Sequence, residues 1–239
     1  IGDRYGKIAS LLGLGTVHQY LRSLDNGEEY AQEALALARE LGAKREEGYV
    51  CNLLADLAKS HKDWEGAEGN FNKSLEIFEK LGDKSGVCVA LIGVAGLCSE
   101  MGDYDQAKEV SERATSMAEE LNSKEMSAEV FLTNGRIEKE RGRMERGLRW
   151  LGKALEYAGE MPELTWQIHL AMGEAYEHAG TISQALDSYH MCIEALKTIC
   201  GEIKDEDLRK SYLSDPERNK VFGHISRLEK ILLIPTASE

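Results

Sequence analysis

Prolines and phenylalanines are scarce in this sequence: its 239 residues include three Pro and four Phe. A β-sandwich or barrel needs many turns between aromatic-rich strands, so this composition disfavours an all-β domain. Long apolar runs are also absent, since none approaches the roughly 18 residues of a membrane-spanning helix. The sequence therefore predicts neither a β-domain nor a transmembrane segment.

Basic residues are outnumbered by acidic ones. The chain has 29 Lys and Arg against 42 Asp and Glu, which gives a formal net charge of −13. Nucleic acids and anionic lipid surfaces are bound through clustered bases, so this balance argues against both. We expect no nucleic-acid partner and no membrane partner.

Cysteine occurs in an odd number, and no two cysteines form a CxxC pair. Most of the five lie within apolar helical patterns, where a free cysteine behaves as a small apolar side chain. This usage predicts no disulfide framework and favours a reducing cytoplasm. The five residues are Cys51, Cys88, Cys98, Cys192 and Cys200.

Motifs for catalysis or cofactor binding are missing. The histidines form no HExxH pair and no Cys/His cluster with metal spacing, and neither a GxxxxGK[ST] phosphate loop nor a GxSxG turn occurs. Acidic pairs are abundant, but without a pocket they indicate solvated helix faces. We predict that the chain is not an enzyme and binds no cofactor and no metal. The six histidines are His18, His61, His169, His178, His190 and His224.

The sequence does contain an internal repeat of 40 residues, shortened to 38 in its last interval. Three columns at this spacing hold only Gly, Ala, Ser or Cys. Small residues at fixed places are needed where two helices approach closely. The columns are Gly15, Ala55, Ala95, Gly135 and Gly173; then Gly27, Ala67, Ala107, Gly147 and Ala185; then Ala34, Ser74, Ala114, Ala154 and Cys192.

Each repeat is predicted to form two helices. Apolar residues recur at helical spacing on both sides of a tight turn, and a large apolar residue follows that turn. Leu41-Gly42, Leu81-Gly82 and Leu121-Asn122 place Gly or Asn just past a helix, where a left-handed residue is favoured. Pro162 permits a new helix to start in the fourth linker. The large apolar column is Leu24, Trp64, Tyr104, Met144 and Ile182.

These features resemble the tetratricopeptide repeat, whose usual length is 34 residues, although longer-helix members exist. The resemblance implies an all-α, right-handed superhelical solenoid of about five helix hairpins, each burying its apolar face against the next. The third unit carries it through Ala95, Gly102-Asp103-Tyr104, Ala107 and Ala114, and the fifth through Gly173, Tyr176, Gly180, Ala185 and Tyr189. The expected units span residues 5–42, 44–82, 84–122, 124–161 and 163–200.

The repeat pattern ends at Cys200. Residues 201–234 predict two helices, with Ser214 or Asp215 as N-cap and Pro216 in the first turn of the second helix. A solenoid needs an atypical terminal element over its last apolar face, so we expect a cap. The alternative is a helix that forms a homodimer or docks on a partner. Residues 235–239 are expected to be a frayed tail, and the opening without Met suggests part of a larger protein.

The family resemblance also implies a binding surface, because the first helix of each unit lines a concave groove in such arrays. Apolar contacts and amide hydrogen bonds suit an extended or helical segment, and charged groups suit ion pairs. Gly96 either leaves room for a partner backbone or serves helix packing. Carrying the register over predicts partner-binding residues Leu12, Thr16, Gln19, Tyr49, Asn52, Asp56, Lys59, Val89, Ile92, Ser99, Glu129, Leu132, Arg136, Lys139, Gln167, Leu170, Glu174 and Glu177.

We therefore expect a protein–protein interaction scaffold that binds a partner peptide or helix, as a regulatory part of a larger cytoplasmic signalling protein. The Lys/Asn/Arg set by which some family members clamp the C-terminal carboxylate of chaperones is not visible. The alternative hypothesis is a sensor module whose superhelix changes pitch when a peptide or small ligand binds, which gates an attached effector domain.

Overall fold

The computed structural model describes residues 3–233 of the chain and the side chains of residues 3–230. Within this range the regular structure consists of twelve α-helices. The predicted all-α class is thereby confirmed, whereas the predicted tail at 235–239 lies outside the described residues. The helices are α1 (Arg4–Tyr20), α2 (Leu24–Leu41), α3 (Lys44–Ser60), α4 (Trp64–Leu81), α5 (Lys84–Glu100), α6 (Tyr104–Leu121), α7 (Lys124–Glu140), α8 (Met144–Ala158), α9 (Pro162–His178), α10 (Ile182–Glu202), α11 (Glu206–Leu213) and α12 (Pro216–Leu233).

The chain divides into two compact units at the middle of α7. The first unit comprises residues 1–133, with α1 to α6 and the first part of α7. The second unit comprises residues 134–239, with the rest of α7 and α8 to α12.

The small-residue columns are the points at which the two helices of a hairpin approach each other. All fifteen column residues are buried. A Cβ added at Gly15 would lie 3.3 Å from the Gly27 carbonyl oxygen, and one added at Gly27 would lie 3.3 Å from the Gly15 carbonyl oxygen. The Ser74 hydroxyl donates to the Gly48 carbonyl at 2.9 Å, which satisfies a buried polar group at such a contact. Neighbouring Gly13 does not take part, since a Cβ there would meet nothing within 4 Å.

The turns follow the sequence signals. Gly42, Gly82 and Asn122 end α2, α4 and α6 in the left-handed conformation, with φ of 65°, 65° and 49°. The turn inside each hairpin also needs a left-handed residue. Arg22 and Lys62 take this role with φ of 59° and 62°, although L side chains rarely adopt such angles. Glycine occupies the corresponding place in the later repeats.

Contacts between successive hairpins supply the core of the first unit. Phe71 and Phe78 of α4 are 1% and 0% exposed. A Cβ added at Gly86 of α5 would lie 2.2 Å from Cδ1 of Phe78, so the backbone of the third hairpin rests directly on this ring. Within the first unit the second hairpin thus buries its apolar face against the third, as the repeat predicts.

The predicted two-helix cap is present in the second unit. Asp215 caps α12 by accepting from the Glu217 backbone N–H at 2.7 Å, and Pro216 is the first residue of that helix. Val221 and Leu228 of α12 are 0% and 1% exposed. The stacking of hairpins therefore ends on a short helix, α11, and an 18-residue helix, α12, that buries apolar side chains.

A buried arginine fastens α11 to α12. The Arg218 guanidinium carbon lies 3.7 Å from the ring centroid of Tyr212 and 5.1 Å from that of Trp166. Its Nη1 donates to the Tyr212 carbonyl at 2.8 Å, and the Tyr212 hydroxyl donates to Oε2 of Glu163 at 2.7 Å. Stacking and hydrogen bonding together hold the cap against the start of α9.

Candidate functional site

The predicted binding residues of the first unit lie on helices that contact one another. The first helix of each hairpin packs beside the first helix of the next, α1 on α3 and α3 on α5. We call the side of these helices, and of α7 up to residue 133, that carries the predicted residues the groove face. Ten of these side chains are partly buried. They are Leu12, Thr16, Gln19, Tyr49, Asp56, Lys59, Val89, Ile92, Ser99 and Glu129, while Asn52 and Leu132 are buried.

Asn52 on α3 has an unsatisfied amide. The residue is 6% exposed, and neither its Nδ2 nor its Oδ1 has a hydrogen-bond partner among the described residues. An enclosed polar group without a partner costs about 1–3 kcal/mol. Groups of this kind are kept in proteins where a ligand, a water or an ion completes them.

Charged groups surround the next turn of α3. The Asp56 Oδ1 lies 3.4 Å from the Lys59 Nζ, which lies 3.6 Å from Oε1 of Glu100 on α5. Beside them α5 presents Gly96, where an added Cβ would meet only the Lys59 Nζ, at 3.6 Å. Open space over a glycine allows another chain to come close to the helix backbone.

Glu129 on α7 is a partly buried acidic group with acidic neighbours. Burial, together with the negative charges of Glu125 on the same helix and Asp56 on α3, raises its pKa to about 7. Within residues 3–230 no base forms an ion pair with its carboxylate. The groove face therefore holds a carboxyl group that ionises near neutral pH and lacks a counter-charge.

Tyr49 is fixed as an aromatic edge of the groove face. Its ring meets the ring of Phe78 at a centroid distance of 4.8 Å and an interplanar angle of 62°. The Arg45 guanidinium lies 5.9 Å from the Tyr49 centroid, and its Nε donates to Oδ2 of Asp83 at 2.7 Å. A ring held on two sides gives a ligand a preformed contact surface.

In the second unit, the predicted acidic residues already have partners inside the chain. Glu174 pairs with Lys139 of α7 and with Lys220 of α12, whose Nζ lies 2.8 Å from Oε1 of Glu174. Arg136 donates to Oε1 of Gln167 at 3.1 Å, and Leu170 is 2% exposed. The structure thus uses these predicted binding residues in the contacts among α7, α9 and α12.

Glu177 is engaged in the same way. It accepts from the Tyr189 hydroxyl at 3.0 Å, lies 2.9 Å from the His224 Nδ1, and pairs with Arg227. The His224 ring stacks on Tyr189 at a centroid distance of 4.8 Å and an angle of 21°. Sequence reasoning missed these α12 residues. The sequence signal that identifies them is a set of three bases at helical spacing, Lys220, His224 and Arg227. They lie opposite two acids three positions apart, Glu174 and Glu177.

Two kinds of site are absent from the described residues, a metal-ligating cluster and a membrane-spanning helix. No group of three or more His, Cys, Asp or Glu is placed to hold a metal ion among them. No helix in the described part is long and apolar enough to cross a bilayer. A shallow depression of about 90 Å³ lies elsewhere, between α4, α5 and α6, and is lined by Glu68, Asn72, Val94, Leu97, Cys98, Met101, Asp103 and Gln106.

Comparison with known families decides the classification. The family model described as tetratricopeptide repeat matches residues 7–80 and, again, residues 46–120. The chain belongs to the tetratricopeptide repeat family. Tetratricopeptide repeats are in general protein-interaction scaffolds rather than enzymes, and this chain is a scaffold of that general kind. No curated protein shows significant sequence similarity to it.

Solved tetratricopeptide and related helical structures share the fold. Aspartyl phosphate phosphatase F from Bacillus subtilis superposes with a TM-score of 0.62 and 16% identity, over all of this chain and 63% of that one. A Rap protein complexed with competence and sporulation factor superposes with a TM-score of 0.65 and 16% identity, over 97% of this chain and 66% of that one. A thermophilic tetratricopeptide protein of Thermus thermophilus superposes with a TM-score of 0.59 and 21% identity, over 87% of this chain and 97% of that one. Identities this low show the fold alone, and the chain spans less than two thirds of the length of the phosphatase.

Proposed function

We propose that the groove face of the first unit binds an extended or helical segment of a partner protein, as the recognition part of a larger regulatory protein. The observation that carries this proposal is the Asn52 amide, which is enclosed and unpartnered. A peptide backbone offers both an N–H and a C=O, so one peptide unit can satisfy both ends of this amide. The free chain covers the amide, and a bound segment therefore has to displace the side chains around it.

The surroundings of Asn52 suit a peptide. Val89 and Ile92 of α5 are partly buried apolar contacts, and Gly96 leaves room for close approach of a backbone. The helices are already folded and packed, so binding orders few protein groups and loses little conformational entropy. Docking of a segment into a helical groove is a common recognition mode.

The first unit is the better candidate because the second unit satisfies its own charges. Glu174 and Glu177 form ion pairs with residues of α12. A partner at that place has to compete with an attached helix, whereas Asn52 and Glu129 have no such competitor among the described residues. A homodimer through the C-terminal helix stays a prediction, as does a cytoplasmic location.

The test is selection of binding peptides from a phage-displayed random 12-residue library on the 239-residue protein, followed by fluorescence anisotropy with the selected peptides. We expect Asn52→Leu and Ile92→Ser to weaken binding about tenfold or more, because each removes a groove contact worth about 1–2 kcal/mol. The matched control Glu109→Gln, an exposed acid on α6, is expected to bind as the wild type does. Circular dichroism melts verify that each variant is folded. Selected peptides that bind all three variants equally well would overturn the proposal.

The sensor hypothesis has one supporting observation, the similarity to a Rap protein solved in complex with competence and sporulation factor. If the chain is a sensor, the selected peptide should change the radius of gyration measured by small-angle X-ray scattering. A scaffold should instead show an unchanged radius and a higher melting temperature, since the peptide binds the folded state.

A further inference from the structure

We infer that the segment bound on the groove face carries a basic side chain, Lys or Arg, which lies beside Asp56 and Glu129. This inference rests on the proposed function and specifies the chemistry of the partner. It requires a place with excess negative charge, room for a cation and a second group that indicates a ligand.

The excess negative charge comes from three elements. Asp56 on α3 and Glu125 and Glu129 on α7 are near enough for their charges to interact, and Glu100 on α5 follows directly after Ser99 of the groove face. The base nearest to Asp56 is Lys59, and it is shared with Glu100 at 3.4 and 3.6 Å. Lys59 is therefore shared by two carboxylates, Asp56 and Glu100, while Glu125 and Glu129 add further negative charge nearby.

Burial and two acidic neighbours disfavour the ionisation of Glu129 in the free chain. Glu125 on its own helix and Asp56 on α3 repel a second negative charge, and burial adds to this effect. The Cys88 thiol on α5 is a further titratable neighbour, and burial and Glu129 raise its pKa to about 11, so it stays neutral at physiological pH. A cation placed here removes the repulsion, and for this reason a base stabilises the site more than an apolar or acidic group does.

The second observation is the Asn52 amide. It lies one helical turn before Asp56 on the same face of α3, is more than nine-tenths buried and has no hydrogen-bond partner in the described part of the chain. The Asn52 amide and the Glu129 carboxylate are thus two unsatisfied groups on the groove face. The amide can bind the backbone of a bound segment, and the carboxylate can bind a basic side chain of the same segment.

The experiment compares the peptides selected on the wild-type protein. We expect Lys or Arg to be enriched at one position, and replacement of that residue by norleucine to weaken binding about five- to twentyfold, as for a charge-assisted contact. Glu129→Gln is expected to weaken the original peptide by a similar factor and to leave the norleucine peptide unaffected. Glu109→Gln is the matched control and should change neither affinity.

The pH dependence gives an independent readout. Because the basic peptide binds the ionised form of Glu129, its affinity should rise between pH 6 and pH 8, and this rise should be absent in Glu129→Gln. If selected peptides lose affinity in Asn52→Leu but show no basic preference and no response to Glu129→Gln, the groove is confirmed and the basic side chain is wrong. If no selected peptide responds to Asn52→Leu or Ile92→Ser, the proposed function itself fails.

Discussion

The Lys220 ammonium of α12 lies 2.8 Å from the Glu174 carboxylate of α9, which also pairs with Lys139 of α7. One carboxylate thus connects three helices of the second unit. Burial by itself would raise the pKa of Glu174, but the two ammonium groups outweigh burial and lower the pKa to about 2. The ionised form is therefore part of the folded structure, and the cap is held partly by charge.

Replacement of Glu174 by Gln should destabilise the second unit. The change leaves two partly buried bases without their shared acid, and we expect a loss of about 1–3 kcal/mol in the free energy of unfolding at pH 7. Urea unfolding measured by circular dichroism checks this value. Glu156→Gln, an exposed acid on α8, serves as control and should change the stability little.

The same pair predicts an acid dependence with a definite sign. The folded pKa of Glu174 lies below its ordinary value of 4.5, so its contribution to stability is complete above about pH 4.5 and is lost as the pH falls towards 2. The difference in stability between wild type and Glu174→Gln should therefore shrink between pH 5 and pH 3. A constant difference over this interval would show that the carboxylate charge is not the cause.

Tight helix contact predicts opposite effects for two glycines of the second unit. A Cβ added at Gly173 would lie 2.4 Å from Cε1 of Tyr189, a ring that is 0% exposed and held by Glu177, whereas a Cβ at Gly152 would meet nothing within 4 Å. We expect Gly173→Ala to lower the unfolding free energy by about 1–3 kcal/mol through overpacking. Gly152→Ala should raise it by about 0.5–1 kcal/mol, because Ala favours the helix. Thermal melts that move in the same direction would contradict this interpretation.

The cysteines should differ sharply in reactivity. Cys51, Cys88, Cys98 and Cys192 are buried, while Cys200 is partly exposed. Burial raises the pKa of the Cys192 thiol to about 12 and that of Cys88 to about 11, so both remain protonated and unreactive at pH 8. Titration of the native protein with Ellman's reagent at pH 8 should show one faster thiol and four slow ones.

Removal of Cys200 identifies the faster thiol. The variant Cys200→Ser should lose the first phase and keep the slow ones. In 6 M guanidinium chloride the wild type should react at all five cysteines at a single rate, because the sequence contains five and none is in a disulfide. A fast phase that persists in Cys200→Ser would mean that a buried cysteine becomes accessible in the native state.

The fold could be predicted because its determinants are local and repeat. Column residues such as Ala67 and Ala107 are 0% exposed, and Gly42 and Gly82 adopt the left-handed angles that their positions indicate. A small residue at a helix contact acts through size alone, so its place in the repeat predicts its environment. The same reasoning correctly predicted that Pro162 would start a helix.

The candidate site could be predicted only in outline. The register selected Asn52 and Glu129, but their missing partners depend on which groups of other hairpins come near, and no local pattern contains that information. Glu174 and Glu177 show the reverse case, since the register predicts partner contacts while α12 supplies Lys220 and Arg227 from more than 40 residues away. Charge balance over long sequence separations is a property of the packed chain.

Glu129 predicts a variant that is more stable than the wild type. Burial and its acidic neighbours raise its pKa from 4.5 to about 7, so the folded chain holds a proton there that the unfolded chain has released. Stability consequently falls as the pH rises from about 4.5 to 7, the opposite of the Glu174 case. Glu129→Gln removes this penalty and should raise the melting temperature by several degrees at pH 8 while leaving it nearly unchanged at pH 5. If the variant is not more stable at pH 8, Glu129 already has a counter-charge in the free protein. The interpretation of Glu129 as a group that is kept for ligand binding at a cost in stability would then be wrong.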